Sequence, residues 1–166
     1  MKEEIRKYPV DWPKNWEGDD NQDAGLRFRA FERKLKKYGV DLLKSKVLEI
    51  GNGNNAFLNY MLEQGVDAIG VDARPRGEKS STLIASRIEQ LPFRNETFDV
   101  VLSVHQVFDS HVYHQDHNAM LDEIRRVLKE HGLYLGMLEH IDVSTEGFAL
   151  ISDQEEKSIL GVYKKI

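Results

Sequence analysis

The sequence predicts a single α/β domain in which a mostly parallel sheet carries helices on both faces and ends in an antiparallel hairpin. Strand-like apolar segments alternate with helical segments between residues 40 and 140, which is typical of parallel strands joined by helices. The first of these strands runs into a glycine turn that opens a helix. The last two apolar segments have no helix between them, and this favours a terminal hairpin.

Two segments precede the alternating part. Residues 1–24 are polar and irregular, and we expect an N-terminal arm that is loose or folds over a site. Residues 25–39 predict a helix, because apolar residues recur at helical spacing ahead of Gly39. These residues are Phe28, Phe31, Leu35 and Tyr38. Residues 40–166 then form the α/β core of one domain.

The elements of this core follow from local apolar patterns. The helix at 116–130 has the clearest pattern, because its apolar residues make one stripe ahead of Gly132. Short apolar runs predict the strands. In chain order we expect a strand at 46–50, a helix at 54–64, strands at 68–71, 81–86 and 98–103, the helix at 116–130, a strand at 133–138, and hairpin strands at 148–152 and 158–163.

Composition narrows the classes of function. The chain has no cysteine, which excludes disulfides and cysteine-ligated zinc. No apolar run approaches the length of a membrane span and the N-terminus lacks signal-peptide character, so we expect a cytoplasmic protein that does not enter a membrane. A net charge of −5 argues against nucleic acid as a partner.

One basic cluster departs from this acidic balance. Six cationic residues lie close together with Glu32 as the only acid among them: Arg27, Arg29, Arg33, Lys34, Lys36 and Lys37. We favour the interpretation that they form the solvated face of a helix. A patch that contacts a phosphorylated or RNA substrate is the alternative that the sequence leaves open.

Acidic residues stand at the ends of two predicted strands. Glu49 comes two residues before Gly51, and Asp72 follows the second strand. Glycine lets backbone approach a ligand, the N–H groups of the next helix can point at it, and a carboxylate can accept hydrogen bonds from ribose hydroxyls. The pattern therefore predicts a nucleoside-binding site. Gly51-x-Gly53-x-x-Ala56 also fits the loose nicotinamide fingerprint, although Glu49 stands where such sites usually have an apolar residue.

The wider pattern resembles a known family. Glu49-Ile50-Gly51-Asn52-Gly53 resembles the first motif of class I S-adenosylmethionine-dependent methyltransferases. Leu-Pro-Phe at 91–93, Phe-Asp-Val-Val at 98–101 and Ile-Arg-Arg-Val-Leu-Lys at 124–129 are similar to segments of their small-molecule branch, the type 11-like methyltransferases. The resemblance implies a Rossmann-like class I methyltransferase sheet, S-adenosylmethionine as cofactor and a small-molecule acceptor as substrate.

The resemblance also assigns roles to residues. Gly51 and Gly53 would let the backbone pass the donor's methionine and ribose portions, and Asp72 would accept the ribose hydroxyls. Ser103 and Val104 would face the sulfonium and the acceptor. The full set of cofactor contacts that the resemblance implies is Glu49, Gly51, Asn52, Gly53, Asp72, Ala73, Arg87, Ile88, Ser103 and Val104.

Catalytic candidates follow the fourth strand. Histidine exchanges its proton near neutral pH, which suits His105 to general-base removal of a proton, and Asp109 is a second candidate. Methyl transfer can also proceed by alignment of the acceptor alone, so the sequence leaves open whether a base exists. His111, His114 and His117 are spaced three positions apart. We expect no metal, because on a helix the first and third of them would diverge, and their convergence on one ion would need a loop.

Three departures from the family pattern keep other functions open. Asn55 replaces the third glycine of the first motif, and Arg87 stands where the family usually has an aspartate for the adenine amine. The helix expected ahead of the final hairpin is missing. A methyltransferase-like binding or regulatory module without turnover is therefore the alternative function, and a small NAD(P)-dependent reductase is a more distant one.

Overall fold

The computed structural model describes residues 20–53, 55–73, 75, 82–103, 116–136, 145–152 and 161–166. The helices in these ranges are α1 (Asp20–Lys37), α2 (Ala56–Glu63) and α3 (His117–Val127). The strands are β1 (Lys46–Ile50), β2 (Asp67–Asp72), β3 (Leu83–Ala85), β4 (Phe98–Ser103), β5 (Leu128–Gly136), β6 (Phe148–Leu150) and β7 (Gly161–Lys165). Short 3₁₀ turns occur at Leu42–Lys44 and Ile88–Gln90. None of the described helices is long and apolar enough to cross a membrane.

The described strands form one sheet in the order β3-β2-β1-β4-β5-β7-β6. Strands β1 to β5 run parallel, whereas β7 runs antiparallel to both β5 and β6. The predicted mostly parallel sheet with an antiparallel C-terminal pair is confirmed. The strand order reverses between β1 and β4, and open α/β sheets bind ligands at the carboxyl ends of the strands at such a point.

Apolar side chains cover both faces of the sheet. On one face α1 and α2 pack together, and the rings of Phe31 and Phe57 lie with centroids 5.5 Å apart. On the other face α3 buries Met120 and Ile124 completely. Because both faces are occupied by helices, the edge formed by the strand ends remains for a site.

Helix α1 begins earlier than the sequence indicated. It starts at Asp20, so the prediction that residues 20–24 belong to an irregular arm is wrong, while residues 1–19 lie outside the described ranges. The sequence prediction placed the helix start at Gly25. That glycine instead lies inside the helix at a close approach to α2, since a Cβ there would lie 3.2 Å from Oη of Tyr60.

The boundary between α3 and β5 also differs from the prediction. The helix ends at Val127 rather than at residue 130, and β5 starts at Leu128 rather than at residue 133. Leu128 lies opposite Phe98 of β4, so it is a strand residue, although its side chain still packs in the core cluster beneath α3. Positive φ at His131 (62°) accompanies an irregular register between Phe98 and Val100. The chain therefore turns into the sheet before Gly132.

The basic run of α1 is mostly solvated. The exposed members are Arg29, Arg33, Lys36 and Lys37. Arg27 differs from them, because it is half-buried and its charge acts on Glu49 of β1. Arg27 therefore lies near the edge of the sheet where the strands end.

Candidate functional site

Three strand ends converge at one edge of the sheet. Ile50, the last residue of β1, lies opposite Val71 of β2 and Ser103 of β4. The glycine turn after β1, Asp72 at the end of β2 and Ser103 at the end of β4 are therefore neighbours. The fold brings together the carboxylate, glycine and serine positions that the sequence singled out.

The turn after β1 has left-handed backbone at alternate positions. The angle φ is 69° at Gly51, 56° at Gly53 and 70° at Asn55. The Gly53 N–H donates to Oδ2 of Asp72 at 3.0 Å, and the Gly51 N–H donates to the carbonyl of Val71 at 2.8 Å. Apart from its chain neighbours, no atom of the described residues lies within 4 Å of a Cβ built on Gly53, so backbone conformation and not crowding favours glycine there. These bonds make the turn and Asp72 one unit.

Asn55 occupies the position of the family's third glycine. Asparagine tolerates left-handed backbone better than most residues, because its short side chain can bond locally. Here the side chain makes no capping bond to α2 but accepts from Nδ2 of Asn52 at 2.6 Å. Asn52 in turn packs against Gly70 of β2, where a Cβ would lie 2.6 Å from that same nitrogen. Asn55, which stands in place of a glycine, therefore holds the Asn52 side chain against β2.

Glu49 is a fully buried acid beneath this turn, opposite Gly70. Within the described residues neither of its carboxylate oxygens has a hydrogen-bond partner, and neither does Oδ1 of Asn52. Burial raises the pKa of Glu49 to about 8, while the Arg27 charge lowers it and the Asp72 charge raises it further. Glu49 is therefore mostly protonated near neutral pH, and a cation nearby would favour its ionised form.

These buried acceptors fit the methionine end of S-adenosylmethionine. A buried polar atom without a partner costs about 1–3 kcal/mol, so such atoms in one place indicate a ligand that brings donors. An α-ammonium group offers N–H donors and a positive charge. The Glu49 and Asn52 oxygens match both properties, and Asp72 lies at the same turn.

At the turn Ile88–Gln90 the Glu89 side chain is mostly buried, whereas the preceding Arg87 side chain points into solvent. The Arg87 side chain is 68% exposed, and its guanidinium donates to Oε1 of Glu89 at 2.9 Å. The other carboxylate oxygen of Glu89 is buried and has no partner among the described residues. Partial burial raises the pKa of Glu89, but the Arg87 hydrogen bond and charge outweigh it and hold the pKa below its ordinary value. Ile88 is buried beside Glu89, whereas Ala73 at the end of β2 is exposed.

Ser103 has a polar neighbour that the sequence did not predict. Ser103 is 2% exposed, and the phenol of Tyr134 on β5 lies near its hydroxyl. Tyr134 is fully buried between Leu133 and Leu135, so its sequence context predicts only a core residue. Its phenolic hydroxyl, at a position that faces the end of a neighbouring strand, is the signal that could have found it.

Several predicted residues lie outside the described ranges: Val104, His105, Asp109, His111 and His114. The catalytic roles of His105 and Asp109 therefore stay predictions. Among the residues that are described, no three histidine, aspartate or glutamate side chains are grouped so that they could hold a metal ion.

Comparison with known protein families picks out the same region of the chain. A family model described as a methyltransferase domain matches residues 48–136, more than half of the sequence. No curated protein sequence matches the chain.

Solved structures share the fold at low sequence identity. A TehB-like SAM-dependent methyltransferase from Corynebacterium glutamicum has a TM-score of 0.57 and 15% identity, over 88% of this chain and 98% of that one. A Galdieria sulphuraria protein assigned as a sarcosine dimethylglycine methyltransferase has a TM-score of 0.55 and 21% identity, over 69% and 47% of the two chains. For the PH0226 protein of Pyrococcus horikoshii the values are 0.50 and 24%, over 70% and 55%. The matched part thus spans about half the length of the last two proteins.

Proposed function

Because this chain belongs to the methyltransferase-domain family, which implies S-adenosylmethionine as cofactor, we propose that it transfers a methyl group from S-adenosylmethionine to a small-molecule acceptor. The observation that carries the proposal is the set of buried acceptor oxygens on Glu49 and Asn52 beneath the glycine turn. The turn is bonded to Asp72, so one unit offers acceptors to an ammonium group and to ribose hydroxyls.

Each of these residues then has a role in holding the donor. Glu49 and Asn52 accept hydrogen bonds from the ammonium group, and ionisation of Glu49 balances its charge. Asp72 accepts from the ribose hydroxyls. Arg87 cannot accept a hydrogen bond, so it cannot bind the adenine amine. The buried oxygen of the neighbouring Glu89 can accept that hydrogen bond instead. Ser103 would face the transferable methyl group.

The chemistry depends chiefly on alignment. S-adenosylmethionine supplies a methyl group on a positively charged sulfur, and the acceptor atom bonds to that carbon as the carbon–sulfur bond breaks and sulfur keeps the electron pair. The chain holds donor and acceptor in line, which lowers the entropic part of the barrier. His105 or Asp109 would take the proton that an oxygen or nitrogen acceptor loses.

Calorimetric titration of the chain with S-adenosylhomocysteine and with NAD tests the donor assignment. We expect S-adenosylhomocysteine to bind and NAD not to bind. Mass spectrometry of an acceptor panel incubated with S-adenosylmethionine then tests for transfer. Binding of NAD alone would support a reductase, and bound S-adenosylhomocysteine without any methylated product would favour a binding module.

A further inference from the structure

Three buried acceptor oxygens lie side by side over β1 and β2. Glu49 and Gly70 are partners in the pairing of these parallel strands, so both positions belong to the same face of the sheet. The Asn52 amide covers Gly70, since a Cβ on Gly70 would lie 3.2 Å from Cγ of Asn52. Adjacent strands are about 4.8 Å apart, so this amide and the Glu49 carboxyl group are neighbours. Oδ1 of Asn52 and both carboxyl oxygens of Glu49 have no hydrogen-bond partner among the described residues.

Three neighbouring acceptors match an ammonium group in number. An ammonium group has three N–H donors and no acceptor. The amide of Asn52 contributes to this match only through its oxygen, because its nitrogen carries two N–H groups of its own. A flipped amide would direct donors at donors. The orientation of the Asn52 amide therefore decides whether an ammonium group meets two acceptor oxygens here or three.

Asn55 determines this orientation. Nδ2 of Asn52 donates to Oδ1 of Asn55 at 2.6 Å, and both side chains are buried. Asn55 has a φ of 70°, and its side chain makes no capping bond to α2. The bond holds the nitrogen end of the Asn52 amide at Asn55 and leaves Oδ1 as the end without a partner. A glycine at position 55 would also adopt this backbone but would offer Asn52 no acceptor.

We propose that Asn55 is a positioning residue that turns Oδ1 of Asn52 toward the α-ammonium group of the donor's methionine portion. The inference rests on the proposed function and adds to it a residue that acts through Asn52. Glu49 and Asn52 supply the three acceptors, and Asn55 selects which end of the Asn52 amide faces the ligand. An amide that is already fixed loses less conformational freedom when the ligand binds, so the bond between the two asparagines strengthens donor binding.

Two ligands that differ at the methionine end test the proposal by calorimetry. S-adenosylhomocysteine carries the α-ammonium group, whereas methylthioadenosine has the adenosine portion and a thioether but no amino acid. Asn55→Gly keeps the left-handed backbone and removes the acceptor. It should therefore weaken S-adenosylhomocysteine binding roughly 3- to 10-fold and leave methylthioadenosine affinity unchanged.

Asn55→Asp is the conservative variant that should rescue binding. A carboxylate accepts hydrogen bonds and donates none, so it can bond only to the nitrogen end of the Asn52 amide. Asn55→Asp should therefore bind S-adenosylhomocysteine at least as tightly as the wild type does. A structural role of the asparagine side chain that is independent of Asn52 would not predict this rescue.

Asn52→Ala removes the positioned oxygen itself and should weaken S-adenosylhomocysteine binding at least as much as Asn55→Gly does. Asn55→Gly added to Asn52→Ala should then cause no further loss, because Asn55 acts through Asn52. His131→Gly is the matched control. His131 also has left-handed backbone, with a φ of 62°, but it is exposed in β5, and its replacement should alter neither affinity.

Unchanged S-adenosylhomocysteine affinity in a folded Asn55→Gly variant would overturn the proposal, and so would an equal loss of methylthioadenosine affinity. A folded Asn55→Asp variant that binds as weakly as Asn55→Gly would overturn it too, as would a further loss in the double variant. If Asn55→Gly does not fold, Asn52→Ala decides, and a wild-type ratio of the two affinities overturns the proposal. A wild-type chain that binds neither ligand would instead overturn the proposed function.

Discussion

Glu49 has an environment that suits a ligand with hydrogen-bond donors. Its carboxyl group is fully buried and, among the described residues, has no hydrogen-bond partner. Burial is tolerable because the pKa near 8 keeps the group neutral at lower pH. The arrangement lowers the stability of the free protein and favours a cationic ligand, which is a common property of binding sites.

Glu49→Gln should remove a pH dependence of stability. The folded chain keeps the Glu49 proton up to about pH 8, whereas an unfolded chain loses it near the ordinary value of 4.5. Between these values the folded state binds more protons, so the stability that Glu49 contributes falls as pH rises and is lost above about pH 8. The charged groups that act on Glu49 are Arg27 and Asp72, and glutamine carries no titrating proton. The melting temperature of Glu49→Gln minus that of the wild type should increase from about pH 5 to about pH 8.5. A constant difference would contradict the raised pKa.

Asn55→Ala should destabilise the chain more than Asn55→Gly. Both variants lose the bond to Asn52, but alanine at a φ of 70° costs a further ~1–2 kcal/mol for left-handed backbone. Glycine adopts this conformation without that strain. Free energies of unfolding from urea titration should rank wild type first, Asn55→Gly second and Asn55→Ala last. Equal losses in the two variants would show that the backbone conformation is not the constraint.

Among the elements, α3 holds the segment that follows the turn at Ile88–Gln90. The Arg126 guanidinium donates to the Glu123 carboxylate at 2.6 and 2.8 Å, to the Phe93 carbonyl at 2.7 Å and to the Leu91 carbonyl at 3.0 Å. Glu123 also accepts the Leu91 N–H at 2.7 Å. One ion pair of α3 therefore fixes both the start of this segment and, through it, the position of Glu89.

Arg126→Lys should destabilise the fold, because an ammonium group cannot reproduce a planar fork of donors. Loss of hydrogen bonds that involve a charged group corresponds to about 1.5–3 kcal/mol, and the partial exposure of the pair places the value toward the lower end. Arg94→Lys in the same segment is the control, since Arg94 is exposed and should change little. Urea titration of the two variants gives the comparison, and equal stabilities would contradict the role of Arg126.

The bounds of a helix or strand can be predicted from sequence where its apolar pattern is compatible with only one kind of element. The predicted bounds of β1 and β4 equal the observed ones, because their apolar runs are buried on both faces. Leu128 shows where this fails. It continues the apolar stripe of α3 and also suits a buried strand position, and only its pairing with Phe98 across the sheet decides between the two.

The candidate site was predictable to the extent that strand ends determine it. Adjacent parallel strands end at one edge, so the proximity of the glycine turn to Asp72 follows from sequence. The position of Tyr134 near Ser103 depends on the register of strands that are distant in sequence. The missing partners of Glu49 depend on how α1 and α2 pack, and local residue patterns do not report this packing.

At the scale of the whole molecule, the two ends of the sheet have different chemistry. A pocket of about 250 Å³ lies at the end opposite the glycine turn, lined by Asn95, Glu96, Asp122, Arg125, Arg126 and Lys165. Its cations bond to the chain itself, Arg125 to Asp122 at 2.7 Å and Lys165 to the Leu128 carbonyl at 2.8 Å. The cations of this pocket are therefore already paired within the protein. The buried oxygens of Glu49 and Asn52, which have no partner among the described residues, lie at the other end, beneath the glycine turn.

Calorimetric titration of S-adenosylhomocysteine into the wild type, Asp72→Ala and Asp67→Ala tests most directly whether the carboxyl edge binds the donor. Asp67 is the matched control, because it is exposed at the opposite end of the same strand. The site described here predicts that Asp72→Ala loses about 1.5–3 kcal/mol of binding free energy, roughly a 10- to 150-fold weaker affinity, while Asp67→Ala binds like the wild type. A folded Asp72→Ala variant with wild-type affinity would contradict the assignment of this edge as the donor site.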